Sequence, residues 1–186
     1  MSFFLGGLIV GSFLNVVVVR LEAAETLLGR SFCRNCRGRI AWYDNIPLLS
    51  FVLLRGECRV CRTRISWQYP VVEGLTGIVF ALTGYVFFDP DHPESWLTAG
   101  WLIGLLAMLI VIAVYDIRTM EIPVIGLIVA GVWTFGYLAL LSTGWEFQEW
   151  WETPLWHGIL GGGGVAFFLF LLVFYSRETW MGWADV

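Results

Sequence analysis

The chain has 186 residues, of which 58% are hydrophobic and only 14% charged, with a mean hydropathy of +0.75 and 11 tryptophans. Soluble domains carry about 25% charged residues, so the composition points to a membrane protein and argues against an ordinary soluble domain. Net charge is −4, no lysine occurs, and nine of the 11 arginines fall between Arg20 and Arg64; membrane topology accounts for that cluster, and a nucleic-acid partner is not expected.

In chain order, five apolar runs approach the ~20 residues that a helix needs to cross hydrocarbon. They cover about 3–19, 70–88, 96–115, 122–141 and 157–175. Unpaired backbone groups are not tolerated in lipid, so each run is expected to be helical. The first lacks a basic leader and is followed by Arg20, which reads as a retained helix with its N-terminus outside. Within it, Gly7, Gly11 and Asn15 recur every fourth residue and form a small, polar stripe suited to helix packing. The segment 20–69 then lies in the cytoplasm by the positive-inside rule. Connections 89–95 and 142–156 contain no Arg or Lys and are expected outside, the latter with an interfacial tryptophan cluster (Trp145, Trp150, Trp151, Trp156). Connections 116–121 and 176–186 hold Arg118 and Arg177 and are expected inside. The glycines of 158–164 suit close helix approach. No internal repeat or low-complexity tail is evident.

All four cysteines occur as two Cys-x2-Cys pairs, Cys33/Cys36 and Cys58/Cys61. That spacing matches zinc ribbons, in which two short knuckles complete a tetrahedron of sulfurs. Two disulfides are the alternative, but the segment is assigned to the cytoplasm on charge, where thiols stay reduced. A site with four protein ligands keeps no open position, so the metal is read as structural.

Catalysis must then come from elsewhere. Both histidines, His92 and His157, fall in or beside external segments, which removes His-activated nucleophiles from the inner face. No P-loop is present. Asp116, at the inner end of the third span, and Asp185, beyond the inner end of the fifth, share one face. Two carboxylates brought close share a proton, and such a pair activates water while polarising a carbonyl. The plainer possibilities are that Asp116 is an interfacial or capping charge or pairs with Arg118. Glu73 and Glu121 are alternative partner carboxylates, although Glu73 in YPVVEGLTG reads rather as opening the second span or supporting packing.

Four stretches, GSFLNVVVVRL (11–21), the cysteine stretch 33–66 with WYDNIPLLS between its knuckles, YPVVEGLTG (69–77) and YDIRTMEIP (115–123), resemble bacterial type IV prepilin peptidases in sequence and order. MGWADV (181–186) falls where that family carries a Gly-x-Gly-Asp motif. The resemblance implies an aspartic peptidase that removes the basic leader of prepilins and type II secretion pseudopilins at the inner face of the bacterial cytoplasmic membrane. Asp116 and Asp185 map onto its catalytic aspartates. It further implies methylation of the new N-terminus by S-adenosylmethionine, an activity associated with the cysteine domain. Two positions depart from the family pattern: Ala184 replaces the second motif glycine, and Val124 replaces an aspartate. The family continues past the second aspartate, so a C-terminally truncated member is expected. The other functions compatible with the residues are a non-enzymatic membrane adaptor docking through its ribbon, and a methyltransferase-only remnant.

The expected fold is an all-α polytopic membrane protein of about five transmembrane helices, with a small cytoplasmic zinc-ribbon-like domain built on the four cysteines. Its parts are a first helix at 1–19, the cysteine domain at 20–69, and a peptidase core at 70–186.

Overall fold

The apolar runs fold as helices. A computed structural model describes residues 1–144, 154 and 156–161, and its long helices are α1 (Ser2–Glu22), α3 (Gln68–Phe87), α4 (Pro93–Thr119) and α5 (Val124–Gly144), with a short α2 (Leu49–Leu53) and a 3-10 turn at Trp42–Asn45. All four long helices are long and apolar enough to cross a membrane. Among the described residues there is no strand, only two isolated antiparallel bridges. Residues 156–161 are helical; the rest of the expected fifth span lies outside the described residues.

Helix ends depart from the hydropathy limits for local reasons. Pro93 can open α4 because its missing N–H would be unsatisfied there anyway. At its other end α4 runs past Tyr115 to Thr119, so residues 116–119 belong to the helix and not to a connection. Met120, in the left-handed conformation (φ 55°), terminates it by donating its N–H to the Asp116 carbonyl at 2.7 Å. Pro123 follows within three residues.

The chain divides into two compact units, Met1–Glu121 and Ile122–Val186. In the first, α1 packs on α3 along the small stripe. A Cβ on Gly7 would stand 2.7 Å from the Gly77 Cα, and one on Gly11 would stand 2.8 Å from the Glu73 Cα. Both glycines are therefore required for the backbones to meet. Polar groups reinforce the seam. Asn15, fully buried, donates to the Gly11 carbonyl at 3.3 Å and the Tyr69 carbonyl at 3.2 Å, while Thr76, also fully buried, donates to the Val72 carbonyl. Leu14, Val18, Val72 and Phe80 fill the same seam, while Leu5, Ile9, Phe13, Ile78 and Leu82 face outward, as lipid-exposed positions should. Replacing Gly7 with Leu is expected to destabilise this pair by about 1–3 kcal/mol through overpacking. The loss should appear as a lower denaturation midpoint in detergent, and Gly6→Leu, where the added group meets nothing within 4 Å, should leave it unchanged. In the second unit, α5 is predominantly apolar.

Candidate functional site

Between α1 and α3 the chain builds two matched knuckles. CRNCRGRI (33–40) and CRVCRTRI (58–65) agree at six of eight positions with an offset of 25 residues, a short repeat overlooked in the sequence reading. Structure follows sequence at the same offset. The Cys33 N–H donates to the Gly38 carbonyl and the Cys58 N–H to the Thr63 carbonyl, both at 2.9 Å. Arg37 and Arg62 take left-handed conformations at φ 57° and 58°, and the bridges Phe32–Arg39 and Glu57–Arg64 close the two turns.

The four cysteine sulfurs lie within 4.8 Å of one another. A metal 2.3 Å from each of four sulfurs sets them about 3.8 Å apart in a tetrahedron, and Cys33 Sγ and Cys61 Sγ stand 3.8 Å apart. That is far beyond the ~2.05 Å of a disulfide, and all four cysteines are free. The donor set therefore fits a metal ion. Asn35 ties the knuckles together, its amide donating to Thr63 Oγ1 at 2.8 Å and to Cys61 Sγ at 3.7 Å. With the Thr63 hydroxyl and N–H and then the Asn35 amide beside it, the Cys61 thiol is pushed down to about 5, so a thiolate is favoured there at neutral pH.

Arginines seat this pair of knuckles on the helices. Arg34 donates at 2.7 Å to the Val19 carbonyl in the last turn of α1, which also accepts the Ala23 N–H at 3.3 Å. Its counterpart in the second knuckle, Arg59, donates to Asp44 at 2.8 Å and stacks over Tyr43. The Arg59 guanidinium holds the Asp44 carboxyl below its ordinary value. A cavity of about 540 Å³ separates the knuckles from the helix ends; Cys33, Tyr43, Asp44, Tyr69, Glu73 and Arg118 are on its wall.

The carboxylates singled out by sequence divide clearly. Glu73, buried on α3, accepts the Leu48 N–H at 2.8 Å and holds Leu48 at φ 59°. It is thereby committed to positioning the WYDNIPLLS segment. Asp116 is exposed in the last turn of α4. Residues two apart on a helix do not face each other, and Arg118 is engaged elsewhere. Arg118 Nε donates to Glu22 Oε2 at 2.9 Å, its Nη2 pairs with the same carboxylate, and its Nη1 donates to Gln68 Oε1. Gln68 in turn donates to Asn15 Oδ1 at 3.3 Å. A continuous polar chain thus registers α1, α3 and α4 at one end of the first unit. Among the described residues no hydrogen bond or ion pair engages the Asp116 carboxylate. An anion at a helix C-terminus also opposes the macrodipole, so among the described residues Asp116 serves neither as a cap nor as half of a salt bridge. Sequence reading missed Glu22 and Gln68 as the partners of Arg118, because they lie 96 and 50 residues away. Glu121 is exposed after the helix end. Asp185, with Ala184, lies outside the described residues.

Comparison with known proteins adds an independent finding. Residues 5–87 match the family model described as the bacterial peptidase A24 N-terminal domain. The chain is 35% identical over 208 aligned positions to a prepilin leader peptidase/N-methyltransferase of Klebsiella pneumoniae, covering 97% of this chain and 84% of that relative. It is 51% identical over 127 positions to the protein of that name from Myxococcus xanthus, and 37% over 130 to that from Vibrio cholerae. Those two matches span 38% and 47% of the relatives' lengths. No solved structure matches.

Proposed function

We propose a function from one premise: this chain belongs to the family of prepilin leader peptidase/N-methyltransferases. The proposed activity is that of an aspartic endopeptidase in the bacterial cytoplasmic membrane, with the N-terminus outside and the cysteine domain inside. It removes the basic leader of prepilins and type II secretion pseudopilins, then methylates the new N-terminal amine. The observation that carries this reading is the exposed Asp116 carboxylate, which has no partner among the described residues and sits at the end of a membrane-length helix. Asp185 is its proposed partner.

In the proposed step, the ionised aspartate takes a proton from water while the protonated one hydrogen-bonds the scissile carbonyl oxygen. The water oxygen bonds to the carbonyl carbon, the C–N bond breaks, and the departing amine takes up a proton. Ionising both carboxylates at contact distance is strongly disfavoured, which keeps one protonated at neutral pH. The polar chain Glu22–Arg118–Gln68–Asn15 supports this role by fixing the helix that carries Asp116. The apolar stem of the substrate is proposed to lie among the lipid-facing helices, with the leader at the aqueous boundary.

Zinc is the proposed metal of the four cysteines, where it would cross-link the two knuckles. S-adenosylmethionine is the proposed methyl donor, supplying the methyl group carried by its sulfonium. The cavity beneath the knuckles supports a small-molecule site, since about 540 Å³ lies within the usual range for small-ligand pockets.

The test is direct. The chain, reconstituted in lipid nanodiscs, is incubated with a prepilin and labelled S-adenosylmethionine, and both leader release and label on the mature N-terminus are followed. Leader release is the expected result. An intact prepilin, under conditions in which the Klebsiella relative processes it, would overturn the peptidase reading and favour the adaptor. Label transferred only to an already processed pilin would favour the methyltransferase remnant.

A further inference from the structure

Positive charge is unevenly answered around the first knuckle. Arg30, Arg37 and Arg39 surround a surface pocket of about 510 Å³ whose remaining wall is Phe32, with no carboxylate among its lining residues. All three arginines are exposed. Arg37 stacks over Phe32 at 5.4 Å, and among the described residues neither Arg30 nor Arg39 has a carboxylate partner. By contrast, Arg59 and Arg118 each have one.

The location of this pocket is fixed by hydrogen bonds to α1. Arg20, buried in the last turn, donates to the carbonyls of Thr26 at 3.0 Å, Gly29 at 3.1 Å and Arg30 at 3.4 Å. Arg34 reaches back to the Val19 carbonyl. The pocket segment is therefore anchored at Arg30 and at Arg34 to residues 20 and 19, where the apolar run of α1 stops and the lipid headgroups begin. The loop held by Arg20 presents Leu27 and Leu28 to the outside, 47% and 88% exposed. Apolar tips beside unpaired guanidinium groups at that depth have the chemistry of a lipid interface, with chains below and phosphates beside.

We propose that Arg30, Arg37 and Arg39 form a binding site for the phosphate of an anionic phospholipid, with Leu27 and Leu28 inserted among its acyl chains. The inference rests on α1 crossing the membrane and not on the peptidase reading, so either can fail alone. Guanidinium groups match phosphate oxygens in a bidentate fashion. The occupant is the lipid of the leaflet in which the chain itself is embedded, which is present at that height in excess over any soluble anion.

The test uses the whole chain, purified in a neutral detergent, with native mass spectrometry and thermal melting as readouts. Phosphatidylglycerol, phosphatidylcholine and inorganic phosphate are the probes. Phosphatidylglycerol is expected to bind and to raise the melting temperature more than phosphatidylcholine. The Arg30→Gln/Arg37→Gln/Arg39→Gln variant should bind it at least roughly tenfold more weakly, from the per-residue contribution of surface arginines. The control Arg55→Gln/Arg62→Gln alters exposed arginines outside this pocket and should bind normally. Bound metal per chain reports whether each variant is folded; if the triple glutamine variant loses it, the triple lysine variant replaces it, with a smaller loss expected. Equal binding of the two lipids, or equal loss in the control, would overturn the site. Full competition by millimolar inorganic phosphate would overturn the lipid as its occupant.

Discussion

Replacing Asp116 with Asn is expected to lower prepilin cleavage by roughly 10²- to 10⁴-fold, the usual contribution of a positioned acid or base, while leaving the fold as stable as before or slightly more so. The two halves of this prediction have different physical origins. The catalytic loss follows if the carboxylate shuttles the proton of the attacking water. The unchanged stability follows because no described residue bonds that carboxylate, and because an anion is removed from the C-terminal turn of α4, where the macrodipole disfavours it by about 0.3–1 kcal/mol. A structural aspartate would behave the other way round, losing stability along with activity. Arg118→Ala supplies the contrast. It breaks the half-buried pair with Glu22 and the bond to Gln68, so its melting temperature should fall, by about 1 kcal/mol of stability, with activity falling secondarily. If Asp116→Asn cleaves normally, or melts like Arg118→Ala, the catalytic assignment fails.

Much of this contrast was not legible in the sequence, and helix geometry explains why. Read as a connection, DIRT allows Asp116 to fold back on Arg118. Read as the last turn of α4, it points the two side chains apart, and the decision rests on Met120 adopting a left-handed conformation, which no strong sequence signal announces. The true partners of Arg118 come from α1 and α3, and contacts over 96 and 50 residues leave no trace in a local pattern. Glu73 is a similar case. Its place in YPVVEGLTG already reads as opening a span or supporting packing, but that its carboxylate would hold the Leu48 N–H, 25 residues away, was not legible.

The spans themselves were legible because lipid imposes a composition as well as a length. The packing face of α1 was also legible, because backbone contact demands small residues and Gly7 and Gly11 sit four apart there, but that α3 is the helix packed against it was not. The knuckle repeat went unnoticed although it lies in plain letters. Its eight residues are short against the usual period of repeat proteins, and the cysteine spacing obscured the shared arginines and isoleucine that make the two halves superpose in pattern. Those arginines then diverge in use: Arg34 seats the first knuckle on α1 and Arg59 seats the second on Asp44.

That division of labour makes the cysteines the second large test. Cys58→Ser is expected to weaken metal binding by at least roughly a hundredfold and to unfold the segment between Ser31 and Ser66, because a structural metal of this kind contributes on the order of 10 kcal/mol to a small domain's folding. Few other forces hold that segment. It has one five-residue helix and one 3-10 turn, and each cysteine knuckle is closed only by a single bridge and the turn hydrogen bonds beside it. Trp42, Val52, Leu53 and Val60 are largely exposed, so an apolar core is not available in compensation. The helix pair beneath should survive, since Gly7, Gly11, Asn15 and Thr76 join α1 to α3 without help from the knuckles. Limited proteolysis should therefore cut the variant within 31–66 and leave membrane-embedded fragments intact. A chelator should reproduce the pattern in the unsubstituted chain, and cobalt restored to it should show the absorption of a tetrahedral thiolate site. Disulfides would respond instead to a reductant and ignore the chelator. That outcome would remove the metal from the account and, with it, the reason for two knuckles to face each other across four sulfurs.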